Sequence, residues 1–279
     1  MAEIKLVASD LDGTLLTSKK ELTERLLEAL QKIHEMGIFF VPSTGRAFSA
    51  LPQCVKELPS LRYVITGNGA SVYDAVEQKD LFRNLLSPEA IDVVISLVKG
   101  LPVIPEYSVG GQAHIPQEIF NDLTPYGLTE SHTGYIRTTR TPVADFWGEL
   151  ERQKENLENI NLIFTDLVLR QRVWDELKAL GLASVTSYSD KNIEITGLTA
   201  TKSHALAQLC EVLGITAENI LAMGDSDNDL DMLQFAGIGV AMENGQSHIK
   251  EAADFITAGC DAFGAAIVLE KLIEKGDLP

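Results

Sequence analysis

Two groups of acidic residues stand where apolar segments of the sequence end. Asp10 and Asp12 are one residue apart, and Gly13 follows them directly. The apolar segment NILAM ends in a second acidic stretch, GDSDNDLDML, which contains Asp225, Asp227, Asn228, Asp229 and Asp231. Carboxylates from two such segments repel one another unless a cation lies between them, and oxygen ligands of this charge suit Mg²⁺. The sequence therefore indicates a magnesium site.

A third motif offers groups that bind anions. After the apolar residues 38–42, the stretch STGR supplies a hydroxyl, a glycine that lets backbone amides approach an anion, and an arginine with a fixed positive charge. The motif is weak by itself, because serine and glycine also mark ordinary loops. A pair of aspartates at a strand end is likewise most often a turn or a helix cap. The functional interpretation therefore depends on the combination of motifs.

The elements that position these motifs alternate between strands and helices. The apolar residues before Asp10 predict a buried strand, leucines at helical spacing up to Gly37 predict a helix, and residues 38–42 predict a second buried strand. Such a crossover unit is typical of a parallel sheet, in which ligands bind beyond the carboxyl ends of the strands. We therefore expect the acidic pair and the STGR motif at one edge of the sheet.

The same alternation returns in the last third of the chain, and residues 63–66 predict a further strand before the middle region. The late pattern predicts helices and strands in turn, with helices over 201–213, through Met232 and over 262–275, and strands over 219–223 and 238–242. We therefore expect an α/β fold with a Rossmann-like parallel-sheet core.

The middle of the chain has a different pattern. It predicts a hairpin over residues 107–115 that turns at a pair of glycines. It also predicts helices over 143–154 and 167–180, with a strand over 160–166 between them. The segment between Arg46 and Lys202 is also far longer than the usual connections in α/β units. We therefore predict an α+β domain over residues 84–190, inserted into a core of residues 1–83 and 191–279.

Bulk composition narrows the function classes. The 279 residues exceed the commonest size of a single core, and the formal net charge of -17 argues against nucleic acid and anionic lipid as partners. No apolar run is long enough to span a membrane, and acidic residues stand where a signal peptide needs basic ones. Three widely spaced cysteines without a paired motif indicate a reduced setting. We therefore expect a cytoplasmic protein.

The motifs together resemble one enzyme superfamily. DLDGTL, STGR, the lysine of TATKSHAL and GDSDNDLDML follow one another as in the haloacid dehalogenase (HAD) superfamily of phosphatases. Their spacing is similar to that of the Cof-type branch with a type IIB cap, and GVAMENG and DAFGAAIVLEKL resemble the closing segments of that branch. The resemblance implies a HAD core, with residues 84–190 as the cap. The cap is matched only in its length, position and α+β content.

The resemblance implies a role for the acidic residues of the motifs. Asp10 matches the nucleophile that attacks phosphorus and becomes an aspartyl phosphate, and Asp12 matches the acid that protonates the leaving alcohol and then activates water. The Asp10 carboxylate, the Asp12 main-chain carbonyl and the Asp225 carboxylate would hold Mg²⁺. Asp229 is expected to orient Lys202 or a metal-bound water. Phosphoryl transfer requires such a nucleophile and a separate proton carrier close by.

The resemblance also implies a set of residues that hold the phosphoryl oxygens. These are the Leu11 amide, the Thr44 hydroxyl, the Gly45 amide and Asn228. Lys202 would neutralise charge between the nucleophile and the phosphate. The local field of Mg²⁺, Lys202 and Arg46 would then admit a phosphate dianion in spite of the net charge of the chain.

Other polar residues have ordinary interpretations. Asp227 is expected to be a polar loop residue and Asp231 an exposed acid on a helix. Arg137, Arg140 and His114 of the inserted domain are candidate contacts to a sugar or a phosphate, although exposed loop residues more often form only solvated surface. The sequence assigns neither the substrate nor the oligomeric state.

Three functions remain open on the sequence alone. The leading one is a Mg²⁺-dependent phosphatase that hydrolyses small phosphate monoesters, with sugar phosphates as the expected substrates. The second is a phosphomutase or phosphotransferase that uses the same phosphoenzyme and yields an isomeric phosphate instead of free phosphate. The third is a regulatory protein with a silent site, which no substituted catalytic position supports. Response-regulator receivers use similar residues around Mg²⁺ but lack the DxD spacing and the inserted domain.

Overall fold

The computed structural model describes residues 3–187 and 189–274 of the chain. Its strands are β1 (Leu6–Ser9), β2 (Phe39–Pro42), β3 (Tyr63–Thr66), β4 (Ser71–Asp74), β5 (Lys79–Arg83), β6 (Val103–Val109), β7 (Gln112–Pro116), β8 (Arg140–Val143), β9 (Leu157–Phe164), β10 (Ser184–Thr186), β11 (Asn192–Thr196), β12 (Ile220–Gly224), β13 (Ile238–Met242) and β14 (Phe255–Thr257). Its helices are α1 (Glu24–Glu35), α2 (Gln53–Lys56), α3 (Pro88–Val98), α4 (Gln117–Asn121), α5 (Glu130–Thr139), α6 (Phe146–Arg152), α7 (Leu167–Leu180), α8 (Lys202–Leu213), α9 (Leu230–Phe235), α10 (Ser247–Ala252) and α11 (Gly264–Ile273).

A parallel sheet has the strand order β14-β13-β12-β1-β2. β1 pairs with β12 on one side and with β2 on the other, so that Ser9 lies opposite both Met223 and Pro42. Every residue of β1 and β12 is buried, as expected for strands of a parallel sheet that is covered on both faces. The predicted α/β class is confirmed, and the carboxyl ends of β2, β1 and β12 lie side by side.

The strand predicted at residues 63–66 is present as β3, but it belongs to a separate antiparallel sheet of order β3-β4-β5. A bridge between Ser43 and Ile65 links β3 to the segment that follows β2. The sequence pattern did not predict β4 and β5. The turn between them is polar and is held by the Asp74 carboxylate, which accepts hydrogen bonds from the backbone of Val76 and Glu77 at 3.0 Å.

A second large sheet has the order β10-β11-β9-β6-β7-β8. The predicted hairpin is present, with β6 and β7 joined at Gly110 and Gly111, whose φ angles are 57° and 71°. The two predicted helices correspond to α6 and α7, and the predicted strand corresponds to β9. Apolar side chains of α3 and α7 pack against this sheet, including Ile91, Val94, Val173 and Leu177. The alternate residues of β6, β9 and β11 face the other way and are mostly buried polar residues, although Ile104 and Ile163 among them belong to a smaller apolar cluster.

The chain divides into two compact units. One comprises the described parts of Met1–Gly45, Leu51–Phe82 and Thr201–Pro279, and the other comprises Arg46–Ala50 and Arg83–Ala200. The parallel sheet and the small antiparallel sheet belong to the first unit, and the large mixed sheet belongs to the second. Within the described chain, no helix combines the length and the apolar character that a membrane span requires.

Candidate active site

The carboxyl ends of β1 and β12 bring the two acidic motifs together. The Asp10 N–H donates to the Met223 carbonyl at 3.0 Å, which continues the parallel pairing of these strands by one residue. Gly13 then turns the chain with a φ of 90°, and a side chain at this position would place its Cβ 2.5 Å from an Asp225 carboxylate oxygen. A side chain at position 13 would therefore displace the Asp225 carboxylate, and the positive φ also favours glycine there.

Lys202 lies between two of the aspartates. Its Nζ donates to Asp10 Oδ1 at 2.7 Å and to Asp229 Oδ1 at 2.6 Å. The side chains of Lys202 and Asp229 are fully buried, and that of Asp10 is 8% exposed. Burial by itself lowers the pKa of Lys202, but its attraction to the two carboxylates outweighs burial, so the pKa is raised. The lysine is therefore held in its charged form.

The start of α8 fixes the position of Lys202. Thr201 is the N-cap, and its hydroxyl accepts a hydrogen bond from the backbone of His204. Asp231 accepts from the Ser203 backbone at 3.1 Å and from the Ser203 hydroxyl at 2.6 Å. The expectation that Asp231 is merely an exposed helix acid is wrong, since it is partly buried and binds the first turn of α8. A contact between two helices that are far apart along the chain leaves no signal in the sequence.

Asp229 is tied to the backbone of the acidic loop as well as to Lys202. Its Oδ2 accepts hydrogen bonds from the N–H groups of Asp225 and Ser226, both at 3.0 Å. Gly224 approaches so closely that a Cβ there would lie 2.4 Å from the Asp229 Cβ. Since both oxygens of Asp229 already accept hydrogen bonds, the structure places this residue where it can orient Lys202.

The carboxylates form a group that suits a divalent cation. Within the described residues, ligand oxygens of Asp10, Asp225 and Asp229 all lie within 4.8 Å of one another. Three carboxylates face one ammonium, that of Lys202, so the group has an excess of negative charge. Burial, opposed by Lys202 and reinforced by Asp229, raises the pKa of Asp10 to about 8. Burial and the charge of Asp229 raise the pKa of Asp225 to about 6.

The three carboxylates fit Mg²⁺, because this ion prefers carboxylate oxygens as ligands and its charge would offset their excess of buried negative charge. Asp229 is engaged by Lys202 and by the backbone, which leaves the carboxylates of Asp10 and Asp225 as the better ligands. The Thr14 hydroxyl donates to Asp225 Oδ1 at 3.1 Å and so helps to orient it. The sequence pattern did not single out Thr14.

Asp12 lies on the turn that follows β1. Lys20 Nζ donates to Asp12 Oδ1 at 2.7 Å, with both side chains partly exposed. The Leu11 carbonyl accepts from the backbone of Leu16 at 2.8 Å, which closes the turn that carries Asp12. Lys20 was not predicted as a site residue, because a lysine in a polar turn is usually only solvated.

Four of the residues predicted to hold phosphoryl oxygens lie in the first unit: Leu11 follows β1, and Thr44, Gly45 and Asn228 lie on two other loops. Thr44 is buried, and its N–H donates to the Ile65 carbonyl at 2.9 Å. Gly45 follows it directly. Asn228 Nδ2 donates to Asn68 Oδ1 at 3.0 Å, and the Asn68 N–H donates to the Thr44 carbonyl at 3.0 Å. The structure therefore connects these two loops through Asn68, a residue that the sequence analysis did not identify.

Arg46 and Asp227 have contacts of their own in the structure. Arg46 belongs to the second unit, where its Nη1 donates to the Ala50 carbonyl at 3.0 Å and its guanidinium lies 5.0 Å from the ring centroid of Tyr135. Asp227 is exposed and accepts a hydrogen bond from His248 at 2.6 Å. The predicted role of Arg46 at the phosphate stays a prediction.

Comparison with known proteins supplies the family. The sequence model of the haloacid dehalogenase-like hydrolases matches residues 7–269. A 5-amino-6-(5-phospho-D-ribitylamino)uracil phosphatase of Bacillus subtilis is 30% identical over 255 residues, which cover 91% of this chain and 90% of that protein. A pyridoxal phosphate phosphatase of Escherichia coli is 28% identical over 259 residues, which cover 90% of this chain and 92% of that protein.

A solved structure agrees with these relatives. A haloacid dehalogenase-like hydrolase from B. subtilis superposes with a TM-score of 0.83 at 27% identity, covering 96% of this chain and 99% of that one. The chain belongs to the haloacid dehalogenase-like hydrolases, and the family resemblance drawn from the sequence motifs is confirmed. Since the curated relatives are phosphatases, the chain is a phosphoric monoester hydrolase of this family.

Proposed function

We propose that this haloacid dehalogenase-like hydrolase is a Mg²⁺-dependent phosphatase that acts on sugar phosphates through an aspartyl-phosphate on Asp10. The observation that carries the proposal is the buried cluster at the ends of β1 and β12, in which Asp10 and Asp225 share a site with Lys202. A carboxylate that is held beside an ammonium and a cation site can attack an anionic phosphoryl group, which an isolated carboxylate would repel.

The first step transfers the phosphoryl group to the protein. An Asp10 carboxylate oxygen forms a bond to phosphorus while the bond between phosphorus and the ester oxygen breaks, and the Asp12 carboxyl gives its proton to the leaving oxygen. In the second step Asp12 takes a proton from water, whose oxygen attacks the aspartyl phosphate. The bond between phosphorus and Asp10 then breaks, which releases inorganic phosphate and restores both carboxyl groups.

The remaining residues bind and orient. The carboxylates of Asp10 and Asp225 and the Asp12 carbonyl would hold Mg²⁺, which supplies positive charge to the phosphoryl oxygens when bound. Lys202 lies against the nucleophile and neutralises charge there. The residues proposed to hold the phosphoryl oxygens are the Leu11 amide, the Thr44 hydroxyl, the Gly45 amide, Arg46 and Asn228.

We further propose that residues 84–190 form a cap that binds the leaving group. One face of the large mixed sheet supports this, because it carries two adjacent rows of buried polar side chains. In the first row Asn161 lies opposite Glu194 and Glu106, and in the second Asn159 lies opposite Thr196 and Ser108. Carboxylates, carboxamides and hydroxyls suit a neutral polyhydroxylated group, since each hydroxyl both donates and accepts.

The relatives support the same substrate class. The substrate named for the B. subtilis relative contains a ribityl chain, which is a polyol that carries the phosphate. The substrate named for the E. coli relative, pyridoxal phosphate, has no polyol chain and carries its phosphate on a hydroxymethyl group of a pyridine ring. The polar rows favour the polyol type for this chain. A small phosphorylated metabolite remains the expected partner, since the net charge argues against nucleic acid and anionic lipid. The cytoplasm remains the expected location, since the cysteine pattern indicates a reduced setting.

The test is phosphate release from a panel of phosphate monoesters that includes sugar phosphates, sugar-alcohol phosphates, pyridoxal phosphate and para-nitrophenyl phosphate. We expect Mg²⁺-dependent release with the highest kcat/KM for a polyhydroxylated ester, and no release after chelation of divalent cations. Formation of an isomeric phosphate without free phosphate would instead establish a phosphomutase. Metal-independent release would contradict the magnesium site.

The leaving-group assignment has its own test in the Asn159→Leu variant, which removes one polar group from the second row at similar volume. We expect KM for the preferred sugar phosphate to rise about tenfold while para-nitrophenyl phosphate is hydrolysed as before. Asn156→Leu is the matched control, because Asn156 is exposed and lies just before β9. Equal effects on both substrates would reject a role of this face in specificity.

A further inference from the structure

The loop between β3 and β4 has an unusual backbone. Gly67, Asn68 and Gly69 have φ angles of 56°, 54° and 100° in succession. A non-glycine residue in the left-handed region is uncommon, and asparagine tolerates this region better than most. Asn68 is only 4% exposed, so its side chain is held inside the protein. The stretch ITGNGA that contains it plays no part in the chemistry proposed above.

Asn68 connects the two loops that are proposed to hold the phosphoryl group. Its backbone N–H donates to the Thr44 carbonyl at 3.0 Å, and its side-chain oxygen accepts from Asn228 Nδ2 at 3.0 Å. A carboxamide nitrogen carries two hydrogens. When Asn68 accepts one hydrogen of Asn228 Nδ2, the second hydrogen has a defined direction, and Asn228 can donate it to a phosphoryl oxygen.

The same loop also approaches the start of α8. A side chain at Gly69 would place its Cβ 2.1 Å from the Thr201 carbonyl oxygen, so glycine is required there. Thr201 is the N-cap of the helix whose first residue is Lys202. The loop thus contacts the segments that carry Thr44, Asn228 and Lys202, which are far apart in the sequence.

We propose that Asn68 is a positioning residue, which orients the Asn228 carboxamide and the Thr44 segment for the phosphoryl group. This inference rests on the proposed function. A purely structural alternative is that the loop only needs a residue that tolerates positive φ. Glycine meets that need without a side chain, so the two explanations make different predictions for Asn68→Gly.

The experiment is a double-mutant cycle with Asn68→Gly, Asn228→Ala and the combined variant. The affinity for inorganic phosphate in the presence of Mg²⁺ is measured by calorimetry, and kcat/KM is measured with para-nitrophenyl phosphate. We expect Asn68→Gly to weaken phosphate binding about tenfold in the wild-type background. In the Asn228→Ala background it should have almost no further effect, because the group that it orients is already absent.

Two additional variants keep the cycle interpretable. Gln78→Gly is the matched control, since Gln78 is an exposed non-glycine residue with a φ of 53° in the same unit. It should bind phosphate as the wild type does. Asn68→Ser repeats the cycle with a side chain too short to reach Asn228, so that the test does not depend on the folding of one variant.

The outcomes separate this inference from the function on which it rests. Wild-type phosphate affinity in folded Asn68→Gly and Asn68→Ser variants would overturn the inference. It would also be overturned if the Asn68 substitutions weakened phosphate binding equally in the wild-type and Asn228→Ala backgrounds. If the wild type binds inorganic phosphate but hydrolyses no ester, the proposed function fails while the cycle still tests Asn68. If the wild type binds no phosphate, the inference is overturned too, because there is no group to position.

Discussion

Both units of the molecule bury charged side chains, but they balance them differently. In the first unit, Asp10 and Asp229 bind the ammonium of Lys202, and a carboxylate oxygen of Asp225 lies within 4.8 Å of theirs. In the second, Glu106 forms a two-pronged ion pair with Arg140, at 2.8 and 2.9 Å, and also accepts from Asn161 at 2.9 Å. One cluster therefore has an excess of carboxylates, and the other pairs each charge.

The pKa directions follow this difference. Burial raises the pKa values of Asp10 and Asp225 to about 8 and about 6, because the one lysine does not offset it. Burial also opposes the charge of Glu106, but the ion pair with Arg140 outweighs it and leaves the pKa of Glu106 lowered. Residues with perturbed pKa values and unbalanced charge mark functional sites more often than balanced pairs do. The unbalanced charge of the first cluster supports the cation site proposed there, whereas Glu106 and Arg140 balance each other within the second unit.

The largest effect is expected from Asp10→Asn. An amide does not form the aspartyl phosphate, so phosphate release should fall by a factor on the order of 10⁴ or more. The fold should survive, because the substitution lowers the excess of buried negative charge. Steady-state phosphate release measures the activity, and a thermal melt measures whether the fold is kept. Asp227→Asn, which alters an exposed acid near Asp225, is the control and should remain active.

Asp12→Asn should have a smaller effect that depends on the leaving group. The main-chain carbonyl proposed to bind Mg²⁺ is unchanged, but the proton for the leaving oxygen is lost. We expect a loss of about 10² to 10³-fold for alkyl phosphates and a loss nearer tenfold for para-nitrophenyl phosphate, whose leaving group needs no proton. The measurement is kcat/KM of the variant and the wild type for both ester types. Equal losses for the two types would contradict the role of Asp12 as the leaving-group acid.

The ion pair of Glu106 and Arg140 should contribute strongly to the stability of the second unit. Arg140→Met leaves Glu106 buried without its partner, which should lower the free energy of unfolding of the second unit by about 3 to 5 kcal/mol. The combined Glu106→Gln, Arg140→Met variant should recover most of this loss. Urea denaturation followed by tryptophan fluorescence reports on this unit alone, since Trp147 and Trp174 are the only tryptophans of the chain. A combined variant no more stable than Arg140→Met would show that the pair is not self-contained.

The smallest expected effect is the dependence of stability on acidic pH. Since folding lowers the pKa of Glu106, its contribution to stability is fully present above the unfolded value of about 4.5 and is lost as the pH falls through the lower, folded value. The wild type should therefore lose more of its free energy of unfolding than the combined variant when the pH is lowered from 6 to 3. The same fluorescence assay measures it. Parallel pH profiles for the two proteins would contradict the assigned pKa direction.

The sequence was sufficient for the parts of the molecule that repeat a local pattern. The apolar runs before Asp10 and Asp225 predicted buried strands of a parallel sheet, and β1 and β12 are found there. Their direct pairing was not predicted. The family motifs then led to Lys202, which does contact Asp10. These features were accessible because a buried strand and a catalytic motif each leave a continuous signal in neighbouring residues.

The features that were missed depend on contacts between distant residues. Asn68 meets Asn228, Asp231 meets Ser203, and Lys20 meets Asp12 across a turn. Each is an ordinary polar residue until the fold brings its partner to it. β4, β5 and β10 were missed because their sequences, SVYD, KDLFR and SVT, contain no continuous apolar run like those that predicted β1 and β12.

The order of strands in the parallel sheet has a consequence for synthesis on the ribosome. β1 lies inside the sheet, but β12, one of its two partners, is translated only after the whole of Arg83–Ala200. At 5 to 20 residues per second, one edge of β1 waits roughly 10 to 40 seconds for that partner. The segment made in the meantime contains nearly all of the second unit, which can complete its own sheet first. The nascent chain therefore exposes the unpaired edge of β1, rather than the inserted unit, to chaperones and to aggregation.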